Sequence, residues 1–330
     1  MRRLFSISAM MIACLPAHAE PVRLAADAFG VQAEVEIRDL PRDEAVAMAR
    51  EALREIFDIG QLLDPDGTLA GGLGALNAAT EPIELEPRVS DLLRRGLQFC
   101  LWTNGAHGPL GGEIYRLWRE TPGKTPNPND LRDAVIGAQC GAITLTFGES
   151  VVHGQRVVDN RAEALAMGRG FALDRAADLL SAAGVSNAML ELGGVWRGMG
   201  DGPDGQGWLV ELPPAPGKRQ PTDRIFLRDQ ALAIFSIQPI KREPVIRLID
   251  QRNGVPATGV VMVATVTEQA LDAEALSASL FVTGLREGQM RLGGLEPRPS
   301  VLWLLGQGKG EPLESTYHWS ELERMPRRRY

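Results

Sequence analysis

The chain has 330 residues, and its 42 Asp and Glu against 35 Lys and Arg give a net charge of −7. Because phosphate binding needs clustered positive charge, this acidic balance argues against a nucleic acid as the main partner. The four histidines are scattered without HExxH spacing, which argues against a histidine-based metal centre.

Residues 1–19 have the order of a secretory signal peptide. Two arginines precede an apolar stretch that ends in the small-x-small sequence Ala17-His18-Ala19. This stretch is shorter than the ~20 residues needed to span a bilayer. We expect export to the periplasm and cleavage after Ala19, with a lipid anchor at Cys14 as the less favoured alternative. The remaining chain, residues 20–330, carries 33 basic and 42 acidic residues because Arg2 and Arg3 are removed, and it contains no predicted transmembrane segment.

The remaining chain interleaves predicted strands and helices. Alternating apolar and polar residues predict strands, and apolar residues at helical spacing predict amphipathic helices. The predicted helices are 43–63, 88–101, 162–185 and 267–281, and the clearest predicted strands are 31–37, 142–147 and the segment 187–200, which breaks at paired glycines. A proline-rich excursion over 121–134 has Asn129 or Asp130 as its expected helix cap. There is no regular βαβ period, so the pattern favours an α+β fold over a doubly wound sheet.

Two cysteines, Cys100 and Cys140, remain after cleavage. In an oxidising compartment they could form one disulfide, and otherwise they are two small buried side chains. The sequence alone leaves both readings open.

Three stretches combine residue types that suit a ligand. Gly-Arg-Gly at 168–170 opens a helix, as in an anion site, but the same sequence also forms ordinary turns. The paired glycines Gly193 and Gly194 favour either a tight turn or a close backbone approach. Glu274 and Ser277 share a helix face and offer oxygens of the kind that Mg²⁺ prefers, although acids in a first helical turn also complement the helix dipole.

Taken together and in this order, six stretches resemble the motifs of the ApbE family, the FAD:protein FMN transferases. The resemblance covers essentially the whole of residues 20–330. The six stretches are LGALNAA, TNGAHGPLGGEIYRLW, GRGFALD, LELGG, RLIDQRNGVPATG and DAEALSASLFVTG.

This resemblance implies a single domain over 20–330, of α+β fold with mixed or antiparallel sheets flanked by helices and an FAD cleft between subdomains. It also implies an exported enzyme that binds FAD and Mg²⁺. Such an enzyme moves FMN from FAD to a threonine or serine of a partner protein and releases AMP. The expected partner is an acceptor protein of a membrane or periplasmic redox system.

The resemblance also assigns roles to individual residues. It places Asp250 and Arg247 in catalysis. It gives FAD binding to Asn77, Arg169, Gly170, Gly193 and Gly194. For the metal it implies the Ala166 backbone carbonyl and Glu274, with Ser277 or Asp272 in place of a missing hydroxyl.

Several family positions are replaced in this chain. Its substitutions are Arg169 for the family's lysine, Glu274 for its metal-site aspartate, Ala278 for its threonine, Arg247 for its histidine and Val195 for its aspartate after Gly-Gly. These replacements predict a weakened metal site. They leave three hypotheses open: an active flavin transferase, a flavin-binding homologue that holds or delivers FAD, and a scaffold without a flavin site.

Overall fold

The structure is a computed structural model that describes residues 20–149, 151–164, 166–238, 248–308 and 310–324. The predicted signal peptide, the alternative anchor position Cys14 and the predicted catalytic residue Arg247 lie outside these ranges. For them, the sequence-based predictions stay predictions.

Fifteen strands and seven helices lie within the described residues. The strands are β1 (Val22–Ala28), β2 (Val31–Ile37), β3 (Ile83–Leu85), β4 (Ile143–Phe147), β5 (Val152–Arg156), β6 (Ala188–Leu192), β7 (Val195–Met199), β8 (Trp208–Glu211), β9 (Arg224–Leu227), β10 (Gln230–Ser236), β11 (Ile249–Asp250), β12 (Val255–Pro256), β13 (Val260–Thr267), β14 (Ser300–Leu305) and β15 (Leu313–Tyr317). The helices are α1 (Arg42–Leu62), α2 (Leu73–Ala78), α3 (Pro87–Trp102), α4 (Gly112–Glu120), α5 (Pro128–Gly137), α6 (Gly168–Ala182) and α7 (Ala270–Leu292). A short 3₁₀ turn follows at Trp319–Glu321.

The largest sheet has eight strands in the order β1-β2-β6-β7-β10-β13-β14-β15. Each neighbouring pair in it is antiparallel. Smaller antiparallel sheets are formed by β3-β5-β4, by β8-β9 and by β11-β12. This arrangement confirms the predicted α+β class with antiparallel sheets flanked by helices.

The central strands of this sheet are covered on both faces. Helices α1, α6 and α7 pack on one face, and the β8–β9 hairpin with Trp319 packs on the other. Strand β13 is therefore buried along almost its whole length, and its sequence VVMVATVT shows no alternation of apolar and polar residues. Strand β2, nearer the sheet edge, keeps the alternation, with Ala33 and Val35 buried.

Helices α6 and α7 pack closely against each other where each begins. A side chain at Gly170 would overlap the Ala270 carbonyl oxygen, so only glycine allows this approach. Asp174 of α6 accepts hydrogen bonds from the backbone N–H groups of Ala270 and Leu271, at 2.8 and 2.9 Å. These N–H groups have no partner within their own helix, so Asp174 caps α7 from the neighbouring helix.

Several predicted boundaries move in the structure. The predicted helix 162–185 begins only at Gly168, and Ala166 before it has a positive φ of 62°. The helix in the proline-rich excursion is capped by Asn127, not by Asn129 or Asp130, because its side chain accepts from the backbone N–H of Asn129 at 2.8 Å. The strand 31–37 is confirmed.

The two cysteines are joined. Cys100 of α3 forms a disulfide with Cys140, just beyond α5, and 40 positions of sequence separate them. The open question about these residues is therefore answered in favour of the disulfide, which ties α3 to the segment that leads into β4.

Candidate active site

A cavity of about 540 Å³ opens where four parts of the chain meet. These parts are the turn between β1 and β2, the end of α1 with the residues after it, the segment before α6, and the start of α7. Residues that line it include Phe29, Gln61, Pro65, Ala166, Arg169 and Glu274. Its volume lies within the range of about 300–1,000 Å³ that small-molecule sites occupy.

Arg169 and Glu274 form a buried ion pair at this cavity. The Nε of Arg169 donates to Oε1 of Glu274 at 3.0 Å, and the Gly170 backbone N–H donates to Oε2 at 2.7 Å. The Glu274 side chain is 0% exposed and that of Arg169 is 13% exposed. Both carboxylate oxygens of Glu274 therefore have a partner in α6.

The glycines predicted to bind the cofactor have a visible structural role. Gly193 and Gly194 have φ values of 55° and 78° and form the two-residue turn between β6 and β7. Positive φ at both positions is what a type I′ hairpin turn needs, and glycine adopts it without strain. The Gly193 carbonyl accepts a hydrogen bond from Nη1 of Arg169, so this turn also fixes the arginine.

Asn77 holds two walls of the cavity region together. Its Nδ2 donates to the Pro65 and Ala162 carbonyl oxygens at 3.0 and 2.9 Å, and its Oδ1 accepts from the Ala162 N–H at 2.8 Å. The amide is engaged with backbone on both sides. In this structure Asn77 positions Pro65, which lines the cavity, and does not itself line it.

The remaining residues predicted to bind metal do not converge with Glu274. The Ser277 hydroxyl donates to the Ala233 carbonyl oxygen at 2.9 Å, beneath the helix. Asp272 accepts from Nε and Nη2 of Arg95 at 3.0 and 2.7 Å. Of the predicted metal-binding set, the structure thus brings only Ala166 and Glu274 to the cavity.

The donor set does not fit Mg²⁺ as it stands. Magnesium requires near-octahedral oxygen ligands, usually with one or two carboxylates. Here the carboxylate of Glu274 is neutralised by a guanidinium, and Ala278 has no side-chain oxygen. Among the described residues, no group of three or more His, Cys, Asp and Glu side chains is gathered in a way that could hold a metal ion.

Asp250 lies outside the walls of the cavity. Its carboxylate accepts hydrogen bonds from the backbone N–H and the guanidinium of Arg252, the closest at 2.7 Å. Arg252 in turn pairs with Glu287 of α7 at 3.0 Å. The structure therefore does not bring Asp250 together with Arg169 and Glu274.

Glu163 is a further cavity residue, and no sequence motif singled it out. Its Oε1 accepts from Arg119 at 3.3 Å, and its buried Oε2 has no hydrogen-bond partner in the part of the chain that the structure describes. Burial raises the pKa of this carboxyl, and the charge of Arg119 opposes the shift. The sequence placed Glu163 in the predicted helix 162–185, whereas in the structure it precedes the helix, which begins at Gly168.

His107 is a second buried polar residue behind this region. Burial lowers the pKa of its imidazole to about 4, against an opposing effect of the nearby Ala166 backbone. Within the described ranges, neither ring nitrogen has a hydrogen-bond partner. The ring is therefore neutral at physiological pH and does not line the cavity.

Comparisons with known proteins agree on one family. The sequence model described as the ApbE family matches residues 29–298. The FAD:protein FMN transferase of Haemophilus influenzae is 25% identical over 217 residues, 62% of either chain. That of Rhodobacter capsulatus is 26% identical over 281 residues, 78% of this chain and 50% of the relative. The chain thus spans between half and two thirds of the length of these two relatives.

Solved structures show the same fold. The flavin transferase ApbE from Vibrio cholerae has a TM-score of 0.77 and 20% identity, over 90% of this chain and 97% of that one. The ApbE protein of Thermotoga maritima has a TM-score of 0.78 and 20% identity, over 93% and 100%. With a family match over most of its length and the same fold, the chain belongs to the ApbE family.

Proposed function

We propose that this chain is an exported FAD:protein FMN transferase that moves FMN from FAD to a threonine or serine hydroxyl of a partner protein. The observation that carries the proposal is the cavity, because the two family motifs that begin α6 and α7 supply Arg169 and Glu274 to its wall. The names of the related proteins support the same activity.

The reaction is a displacement at phosphorus. The acceptor hydroxyl oxygen forms a bond to the FMN phosphorus, the bond between that phosphorus and the bridging oxygen breaks so that this oxygen leaves with AMP, and the hydroxyl proton passes to the released AMP phosphate or to water. Negative charge on the phosphoryl oxygens must be compensated by fixed positive groups. In this chain, Arg169 lines the cavity as part of its ion pair with Glu274.

The Mg²⁺ requirement implied by the family resemblance stays a prediction. Because the donor set at Glu274 does not fit the ion, no step of the proposed reaction is assigned to it. A bound Mg²⁺ would supply further charge compensation at the phosphates.

Export to the periplasm is part of the proposal. It is supported by the signal-like order of residues 1–19 and by the disulfide between Cys100 and Cys140, since disulfides persist in oxidising compartments. Within the described residues, no helix combines the length and apolar character needed to cross a bilayer. The proposed acceptor is a protein of a membrane or periplasmic redox system.

The test is transfer itself. The chain from residue 20 is incubated with FAD and an acceptor that carries a target threonine, with Mg²⁺ and without it, and products are followed by mass spectrometry and AMP release. We expect an FMN adduct on the acceptor with one AMP for each adduct. An acceptor with valine at the target position is the matched control. Absence of both adduct and AMP over a panel of threonine-bearing acceptors would refute the transferase.

A flavin-binding homologue is the second candidate function. It is favoured by the Arg169–Glu274 pair, which engages the carboxylate expected to hold a metal, and by Ala278 and Val195, which replace oxygen-bearing residues. This reading predicts tight FAD binding without AMP release under any condition. Calorimetry with FAD, run beside the transfer assay, separates the two.

A further inference from the structure

We infer that Glu274, the residue expected to hold a metal, is instead a structural residue that joins α6 to α7, so that the chain binds no divalent cation at this carboxylate. The inference goes beyond the proposed function, because it concerns the role of one cavity residue and does not depend on whether FMN is transferred. It departs from the family resemblance, which implies a metal ligand at this position.

Glu274 and Asp174 cap each other's helix. Oε2 of Glu274, in α7, accepts a hydrogen bond from the Gly170 backbone N–H in the first turn of α6, at 2.7 Å. Asp174, in α6, accepts from the Ala270 and Leu271 N–H groups in the first turn of α7. Each carboxylate lies four positions after a residue whose N–H the other carboxylate binds. Because the first N–H groups of a helix have no partner within it, these two acids satisfy donors that the helices leave unpaired.

The other oxygen of Glu274 is bound by a cation of the protein itself. Oε1 accepts from Nε of Arg169 at 3.0 Å, and the Glu274 side chain is 0% exposed. A buried carboxylate is costly unless it is paired and hydrogen-bonded, and both conditions are met here. The Gly193 carbonyl in turn holds the guanidinium. The positive charge that a metal would bring to this carboxylate is therefore already supplied.

The surroundings of Glu274 do not complete a coordination shell. Mg²⁺ requires near-octahedral oxygen coordination. One turn further along α7, the Ser277 hydroxyl is bound to the sheet and Ala278 has no side-chain oxygen. A cation at Glu274 would have to displace Arg169 and the Gly170 N–H, and in low-dielectric surroundings the guanidinium would repel it. In return it would find no cluster of three acidic, histidine or cysteine side chains within the described part of the chain.

The structural role predicts the effect of removing the carboxylate. In Glu274→Gln, one amide oxygen replaces two carboxylate oxygens that each accept a hydrogen bond, so one donor loses its partner. The unfolding equilibrium constant should therefore rise about tenfold or more, measured in chelator by urea unfolding. A carboxylate kept only as a metal ligand would give the opposite result, since removing an unfilled ligand leaves stability unchanged or raises it.

The ion pair also predicts strong coupling between its two members. Arg169→Met leaves a fully buried carboxylate without a counterion, and should raise the unfolding constant about a hundredfold or more. Arg169→Met/Glu274→Met removes both charges and should recover a large part of that loss. Asp272→Asn is the matched control. It breaks a partly exposed ion pair between α7 and Arg95 of α3, and should change the constant by less than about fivefold.

The decisive measurement is cation binding to the chain from residue 20. Calorimetry is run with MgCl₂ and with MnCl₂, because both ions bind oxygen ligands, and each titration is made without FAD and with FAD added. We expect the wild type and Glu274→Gln to give the same titrations, with no Glu274-dependent Kd below about 1 mM. The urea midpoints of the wild type should likewise agree in excess Mg²⁺ and in excess chelator.

A Kd below about 1 mM that is lost in Glu274→Gln would overturn the inference, as would unchanged or raised stability of that variant in chelator. If Glu274→Gln does not fold, the wild type alone decides. Equal urea midpoints then support the inference, and a higher midpoint in Mg²⁺ overturns it. None of these measurements requires transfer, so failure of the proposed transferase, seen as no adduct and no AMP, is a separate result.

Discussion

Asp174 provides the most direct test of how the site helix is held in place. Its side chain is 14% exposed and accepts the first two N–H groups of α7, at Ala270 and Leu271. Burial raises the pKa of Asp174 from 3.8 to about 6, against the opposing effect of these two backbone hydrogen bonds. The carboxyl thus couples the stability of the α6–α7 contact to pH.

The direction of this coupling follows from the two pKa values. Because the native value lies above the ordinary one, the native state binds the proton more tightly than the unfolded chain does. The resulting stabilisation is fully present below about pH 4 and is lost as the pH rises through about 6. At ~1.4 kcal/mol for each pH unit, the whole effect is about 3 kcal/mol.

Asp174→Asn should remove this dependence. We expect the free energy of unfolding of the wild type, minus that of the variant, to fall by about 3 kcal/mol between pH 3 and pH 7. The assay is urea unfolding at several pH values, followed by the fluorescence of the six tryptophans. Asp178→Asn, which removes the same charge from an exposed position of α6, supplies the reference profile. Parallel profiles for wild type and Asp174→Asn would refute the reasoning.

Three further predictions concern the framework of the site. Replacing Cys100 and Cys140 by alanine should lower the free energy of unfolding by about 4 kcal/mol, from the entropy of a 40-residue loop, and reductant should destabilise only the wild type. Gly193→Ala should weaken FAD binding by displacing the arginine, whereas Gly205→Ala, which also has positive φ but no atom within 4 Å of the new Cβ, should not. Asn77→Ala should cost about 2–3 kcal/mol in urea unfolding, because three hydrogen bonds to backbone are lost; a cost near zero would contradict its bridging role.

The pattern of apolar and polar residues was sufficient to predict the strands and helices that have one buried and one exposed face. The strand 31–37 alternates, and α1 repeats at helical spacing, so both were predictable. Strand β13 does not alternate because both of its faces are buried, and short apolar runs of this kind do not distinguish strand from helix. The start of α6 was misplaced for a different reason: the sequence of this stretch suits a helix, but the Ala162 N–H is bonded to the Asn77 side chain and Ala166 has a positive φ, so the helix begins only at Gly168.

The order of the motifs identified the family, but it did not transfer the role of each residue. Ser277 is three residues from Glu274 and should share its face, yet its hydroxyl points to Ala233 in the sheet below. The spacing of residues predicts which side of a helix a side chain lies on. Its hydrogen-bond partner depends on which neighbouring element packs against that side.

Two residues that differ from the expected family pattern, Arg169 and Glu274, contact each other in the structure. The family resemblance leads us to expect a lysine and an aspartate where this chain has Arg169 and Glu274, and each difference taken by itself predicts a weakened site. The two side chains are 105 positions apart in the sequence, and in the structure they form one buried ion pair. Each is longer or more branched than the family residue, and the pair meets at 3.0 Å beside a glycine that admits the guanidinium. Because Arg169 and the Gly170 backbone N–H each bind one oxygen of Glu274, this carboxylate stays buried with both of its oxygens hydrogen-bonded.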